Sequence, residues 1–235
     1  SNLATYLNTQ GFINVQFYHY WSSTTSANNM DYAWAVYMDG IVFNAYKPFY
    51  YYYVWPVRAG QINSPANLRK TGQTTTYAVG DDGDLGKGVA WPSPRFNVSG
   101  DCVTDSLTGL MWTKDTNLPG TSQNWQQALD FADNLTLCGY SDWRLPNRKE
   151  LQSLIDYSKI GPALPSGHPF IDWSYNIYWS STTFANYMDY AWFVDKSTGL
   201  VDYNDKSISI DSYVWPVRSG QVGAIGSTEI CDGID

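Results

Sequence analysis

The chain is short of cations. Its 14 Lys and Arg face 22 Asp and Glu, a formal net charge of −8 over 235 residues. That balance disfavours nucleic acid and other polyanions as partners. Histidine is scarcer still, with only His19 and His168. There is no nucleophile motif, phosphate loop or HExxH metal motif, so no enzymatic activity is expected. No run of about 18 apolar residues occurs, so this stretch holds no candidate membrane span. None of the 3 cysteines forms a CxxC pair, which argues against a zinc ribbon or a thioredoxin-like centre. Cys102 and Cys138 flank a predicted helix and can meet as a disulfide, leaving Cys231 without a partner. The tail ICDGID (230–235) resembles the opening of a Cys-Asp-Gly repeat of secreted proteins and implies that the native chain runs on.

Aromatic residues are abundant: 19 Tyr, 11 Trp and 9 Phe. Together with Ser, Thr, Asn and Gly they suit β-strands. They are also the palette of extracellular binding surfaces. The strongest internal signal is a repeat. YWSSTTSANNMDYAWAV (20–36) returns as YWSSTTFANYMDYAWFV (178–194), and YVWPVRAGQ (53–61) returns as YVWPVRSGQ (213–221). The copies lie too far apart for a solenoid and fit two copies of a domain-sized unit. GYSDWRLPNRKEL (139–151) occurs once. The reading that follows is a β-rich C-terminal half of a first repeat at 1–61, a complete second repeat at 62–221, and an extended tail at 222–235. The incomplete first half is a possible site of self-association.

Two helices are expected in the second repeat. Residues 122–135 place Trp125, Ala128, Leu129, Ala132 and Leu135 on one face. Residues 147–157 begin with Asn147 as a cap and Glu150 as its capping-box partner. Aromatic and β-branched runs follow, with YWSST, DYAWFVD, GLVDYND and YVWPVR reading as four strands. Hairpin turns are expected at 197–199 and at Asp39-Gly40.

The phrases TGLMW, CGYSDWRLP, YWSSTT and YVWPVR, in that order, resemble the C-terminal domain family of the Legionella collagen-like protein. The resemblance covers residues 70–221 in full and 3–61 in part. It implies an α+β, C-type-lectin-like fold, with two helices packed on a twisted antiparallel sheet, and an extracellular or cell-surface setting. The founding member binds sulfated glycosaminoglycans, a ligand that this acidic chain is poorly equipped to take. The DWRLPN phrase is also similar to one in the formylglycine-generating branch of that fold. Cys102 and Cys138 precede the sheet half, so that branch's paired-cysteine chemistry is not supported. Arg144 and Arg218 are expected in ion pairs, and Trp112, Trp143, Trp179, Trp192 and Trp215 in the core.

Differences between the copies cluster. Ser26 becomes Phe184, Asn29 becomes Tyr187, Ala35 becomes Phe193, Tyr37 becomes Asp195, and FNAY (43–46) becomes DYND (202–205). A packed core absorbs such swaps at a cost of about 1–3 kcal/mol or more each, so an exposed face is expected. The candidate ligand site is therefore Phe184, Asn186, Tyr187, Phe193, Asp195, Asp202, Tyr203, Asn204 and Asp205, on a module that binds a carbohydrate or a protein. A structural repeat is the alternative. No cofactor is expected. Asp81, Asp82 and Asp84, set among glycines, are a Ca²⁺ candidate, although a solvated Asp-Gly turn accounts for them as well, and Asp202 and Asp205 are a second, weaker carboxylate pair.

Overall fold

The structure is a computed structural model that describes residues 3–58, 68–172, 177–208 and 212–220. Cys231 and the tail at 222–235 lie outside these residues. In chain order the elements begin with α1 (Leu3–Thr9), β1 (His19–Thr25), β2 (Tyr32–Tyr37), β3 (Val42–Tyr46), α2 (Asp82–Leu85), β4 (Phe96–Ser99), β5 (Cys102–Asp105) and β6 (Leu110–Thr113). They continue with α3 (Trp125–Asp133), α4 (Arg148–Ser153), β7 (Ile177–Thr183), β8 (Tyr190–Asp195), β9 (Val201–Asp205), β10 (Ser212–Tyr213) and β11 (Val217–Ser219). The fold is mixed α/β and mostly strand. Among the described residues there are four helices and two sheets, instead of two helices on one sheet. The first 61 residues are not purely β, because α1 buries Ala4 against Val15, Tyr20 and Met38.

The repeat resolves into two β units, β1–β3 and β7–β9, joined edge to edge. The large sheet runs β1-β2-β3-β9-β8-β7-β10. β3 pairs antiparallel with β9, with Val42 opposite Val201. These two valines are the same position in the two copies. Equivalent edges therefore meet about a local two-fold axis. Both units carry the same irregularity, between Trp21 and Thr25 in one and between Trp179 and Thr183 in the other. The small sheet, β11-β6-β5-β4, collects strands from the second repeat only.

Alternation of side chains along the strands gives the large sheet two faces. On the front, Tyr178, Trp192, Val194 and Val201 pack with Leu151, Leu154 and Ile155 and with Val103, Trp112 and Val217 of the small sheet. On the back, Trp179, Ala191, Phe193 and Val214 pack under Ala128 and Ala132 of α3. Helices α3 and α4 both start on capping boxes. Asn124 Oδ1 accepts from Gln127 N at 2.9 Å, and Asn147 Oδ1 from Glu150 N at 2.9 Å. Helix α4 ends earlier than expected because the chain turns away to pair Asp156 N with Ala163 O at 2.9 Å. Cys102 and Cys138 are joined, tying β5 to the loop after α3. The five tryptophans expected in the core are at most 3% exposed. Arg144 binds Glu150 through both terminal nitrogens (2.8 and 2.6 Å), and Arg218 binds both oxygens of Asp142 (2.7 and 3.0 Å).

Helix α4 contacts both units. The Arg148 guanidinium stacks over Trp192 at 4.3 Å and fills the space beside Gly40 of the first unit's hairpin, where φ is +109° and no Cβ would fit. Tyr157, just beyond the helix, meets Trp34 of the first unit edge-on at 4.9 Å and lies against Gly199 of the second. Burial pushes the Tyr157 hydroxyl up to about 12.

Candidate functional site

The loops at 26–31 and 184–189 follow equivalent strands and are anchored alike. Ser26 N donates to Tyr32 O, and Phe184 N to Tyr190 O, both at 2.9 Å. Lys47 Nζ reaches Thr25 Oγ1 (3.0 Å) and Met30 O (2.8 Å). Lys206 Nζ reaches Thr183 Oγ1 (2.9 Å) and Met188 O (2.8 Å). The framework is the same and the tips differ. Asn29, also exposed, accepts from Asp31 N through its amide oxygen at 2.9 Å. Its counterpart Tyr187 stands 61% exposed beside exposed Asn186.

The nine candidate residues do not form one surface. Phe184, expected to be exposed, is 3% exposed, stacked on Tyr203 at 4.0 Å and set edge-on to Trp192 at 5.3 Å. Phe193 is 7% exposed, in the layer beneath α3. Their counterparts Ser26 and Ala35 are buried as well, so these swaps occurred in packed sites, with neighbouring volume adjusted. Asp195 accepts from Ser197 N and from the hydroxyls of Ser197 and Thr198, closing the β8–β9 turn. Asp205 does the same for Ser207, which holds its carboxyl below the usual range. Tyr203 lies across from Trp192 on the front face, whereas Asp202, across from Phe193, and Asn204, across from Ala191, belong to the back. Burial, with Asp39 nearby, raises Asp202. The residues left at an accessible edge are Asn186 and Tyr187, backed by the Phe184–Tyr203 stack.

The first unit has a feature that the sequence reading missed. On its back face Tyr50, Tyr52, His19 and Tyr37 form a ladder of near-parallel rings at 5.4, 4.8 and 4.6 Å. Trp21 leans on Tyr52 at 4.8 Å. The aromatic run at 49–53 was the available signal. Burial within this ladder lowers the pKa of His19, against an opposing pull from Asp39.

Asp81, Asp82 and Asp84 point to separate tasks. Asp81 caps α2, accepting from Tyr77 N, Ala78 N and Asp84 N. Asp82 accepts from the hydroxyls of Thr24 and Thr71, and Asp84 from Gly80 N. Among the described residues no three His, Cys, Asp or Glu side chains gather as a metal-ligand group, and no helix is long and apolar enough to cross a membrane.

Searches of curated proteins and of solved structures return no match for this chain. The family model described as Lcl C-terminal domain matches residues 101–218, a stretch that holds β5, β6, helices α3 and α4 and the whole second β unit. The chain belongs to the Lcl C-terminal domain family.

Proposed function

We propose that the chain is a binding module of a bacterial surface protein, with a C-type-lectin-like framework that takes a carbohydrate or protein ligand at its exposed loops. The observation that carries this reading is the pair of loops at 26–31 and 184–189. Their lysine and backbone anchors are shared, and their tips differ at one exposed position, Asn29 against Tyr187, while Asn28 and Asn186 are the same residue. A held frame with changing tips is the arrangement of a recognition surface. Tyr187 offers a ring at small entropic cost, and Asn186 offers directional hydrogen bonds. The Cys102–Cys138 disulfide fits an oxidising, extracellular setting. The test is a glycan and protein array probed with the protein and with the double variant Asn186→Ala/Tyr187→Ala. Binding lost at an unchanged melting temperature supports the site, and unchanged binding refutes it.

The continuous sheet favours a second reading, in which the units are assembly elements of a larger surface protein. Solution mass across a concentration series separates the two, since growth of oligomers with concentration marks assembly.

A further inference from the structure

We propose that a groove on the second repeat, away from the loops, is a binding site for a short neutral saccharide. It has a volume of about 900 Å³ and runs between residues 70–74, 91–98 and 156–169. Trp91 and Asp156 meet in it across Gly72. That glycine has φ +92°, and a Cβ there would collide with the Asp156 carboxylate and come within 2.9 Å of the Trp91 ring. The position therefore requires glycine if indole and carboxylate are to stand side by side. The ring is held in place. Its Nε1 donates to Lys70 O at 3.0 Å, and the Arg95 guanidinium lies over it at 4.6 Å.

Two buried charged groups complete the lining. Asp156 is 5% exposed, and its Oδ1 accepts from Ser158 N (2.9 Å) and Ser158 Oγ (2.6 Å). Arg95 is 7% exposed. Its Nε and Nη2 bind Asp105 at 3.1 and 3.0 Å, and Nη2 also reaches Ser153 O at 2.7 Å. Its Nη1 is buried with no hydrogen-bond partner. A buried N–H left without an acceptor costs about 1–3 kcal/mol, so a small shift of the guanidinium towards an oxygen bound in the groove would be favoured. Lys70 and Lys159 add donors along the groove. A half-buried indole, a carboxylate acceptor and several cationic donors are what a pyranose needs, one face packing on the ring while its hydroxyls exchange hydrogen bonds. Asp105 neutralises Arg95, and Asp156 offsets one of the two lysines, so the groove suits hydroxyls and lacks the strong single-sign field that a polyanion takes.

The experiment is ligand-observed saturation-transfer NMR on the intact protein. The probes are the methyl β-glycosides of glucose, galactose and N-acetylglucosamine, with that of glucuronic acid alongside. Transfer to at least one neutral glycoside is expected. Ser166→Trp, which fills the groove from an exposed position, should abolish it. Trp91→Ala should weaken binding about tenfold, the loss of one ring contact. Circular dichroism matching the parent confirms that each variant is folded. No transfer from any neutral glycoside, transfer only from the glucuronide, or transfer that survives Ser166→Trp would overturn the proposal. So would a signal removed by Tyr187→Ala and not by Trp91→Ala, because that result assigns the sugar to the loop.

Discussion

The two β units share a strand plan and differ in what covers their back faces. In the second unit α3 lies on the sheet. Trp179 is fully buried, and its Nε1 donates to Gln123 O at 2.9 Å. In the first unit the equivalent Trp21 is half-buried and leans on Tyr52. Among the described residues no helix lies there, and the ring ladder takes the helix's place. Val214 is fully buried in one unit, while its counterpart Val54 is 70% exposed in the other. The shared sequence thus specifies strands and hairpins, while the cover is supplied separately and is open to replacement. The front faces differ as well. Lys196, 3% exposed, donates to Tyr178 Oη at 2.6 Å and Thr116 Oγ1 at 3.2 Å, and the position it shares by the repeat is Met38 in the first unit.

The sharpest way to break the comparison is to truncate the same tryptophan twice. Trp179→Ala should cost about 3–5 kcal/mol, and Trp21→Ala about half of that or less, read from denaturant unfolding. Equal losses would mean that the ladder buries its tryptophan as well as a helix does. Next in size is the disulfide, which only the second repeat has. Replacing Cys102 and Cys138 by Ser should cost about 3–4 kcal/mol for a loop of this length. If the units unfold together, one transition shifts; two transitions would show that the first unit melts independently.

The third prediction concerns pH. Burial pushes the Lys196 amine down to about 7, from 10.5 for an exposed lysine, despite Asp172 and Asp115 nearby. Between these values the unfolded chain binds the extra proton and the native state does not. Stability from this group therefore rises as pH climbs from about 7 towards 10, and below 7 the cost of a buried charge is carried in full. Lys196→Met writes the first unit's residue into the second. It should raise stability at pH 6 by a few kcal/mol and flatten the rise between pH 7 and 10, as followed by urea midpoints across that range. A midpoint that does not respond to the substitution at pH 6 would show that the amine is well solvated. The smallest effect is expected from the reverse exchange at a packed site. Ala35→Phe, which copies Phe193 into the first unit, should cost about 1–3 kcal/mol by overpacking, measured in the same way.

Much of the second repeat was legible in the sequence. Asn147 with Glu150, the apolar stripe of α3, the first three of the four expected strands and the five core tryptophans all follow from local pattern, whereas the fourth, YVWPVR, is divided between β10 of the large sheet and β11 of the small one. The union of the two units was not legible, because a strand edge carries no sequence mark of the edge it will meet. The small sheet was missed because β4, β5 and β6 are strands of only four residues in a tight local meander, and β11 returns from the far end of the chain to pair with β6. The candidate site failed differently. Chemically unlike swaps such as Ser26 to Phe184 suggested an exposed face, but a stacked partner, Tyr203 in place of Asn44, had changed with it. Paired changes of that kind can be seen only once contacts are known. The groove at Trp91 was invisible because its residues are scattered over three segments.

The join at Val42 and Val201 also sets direction. From each valine the strand runs four residues to the level of its own unit's loop, and the two strands run opposite ways. Eight residues at about 3.3 Å each put the loop bases roughly 26 Å apart along the sheet, at opposite ends. On the proposed binding reading, ligands taken at the two loops would be held apart, at opposite ends of one sheet.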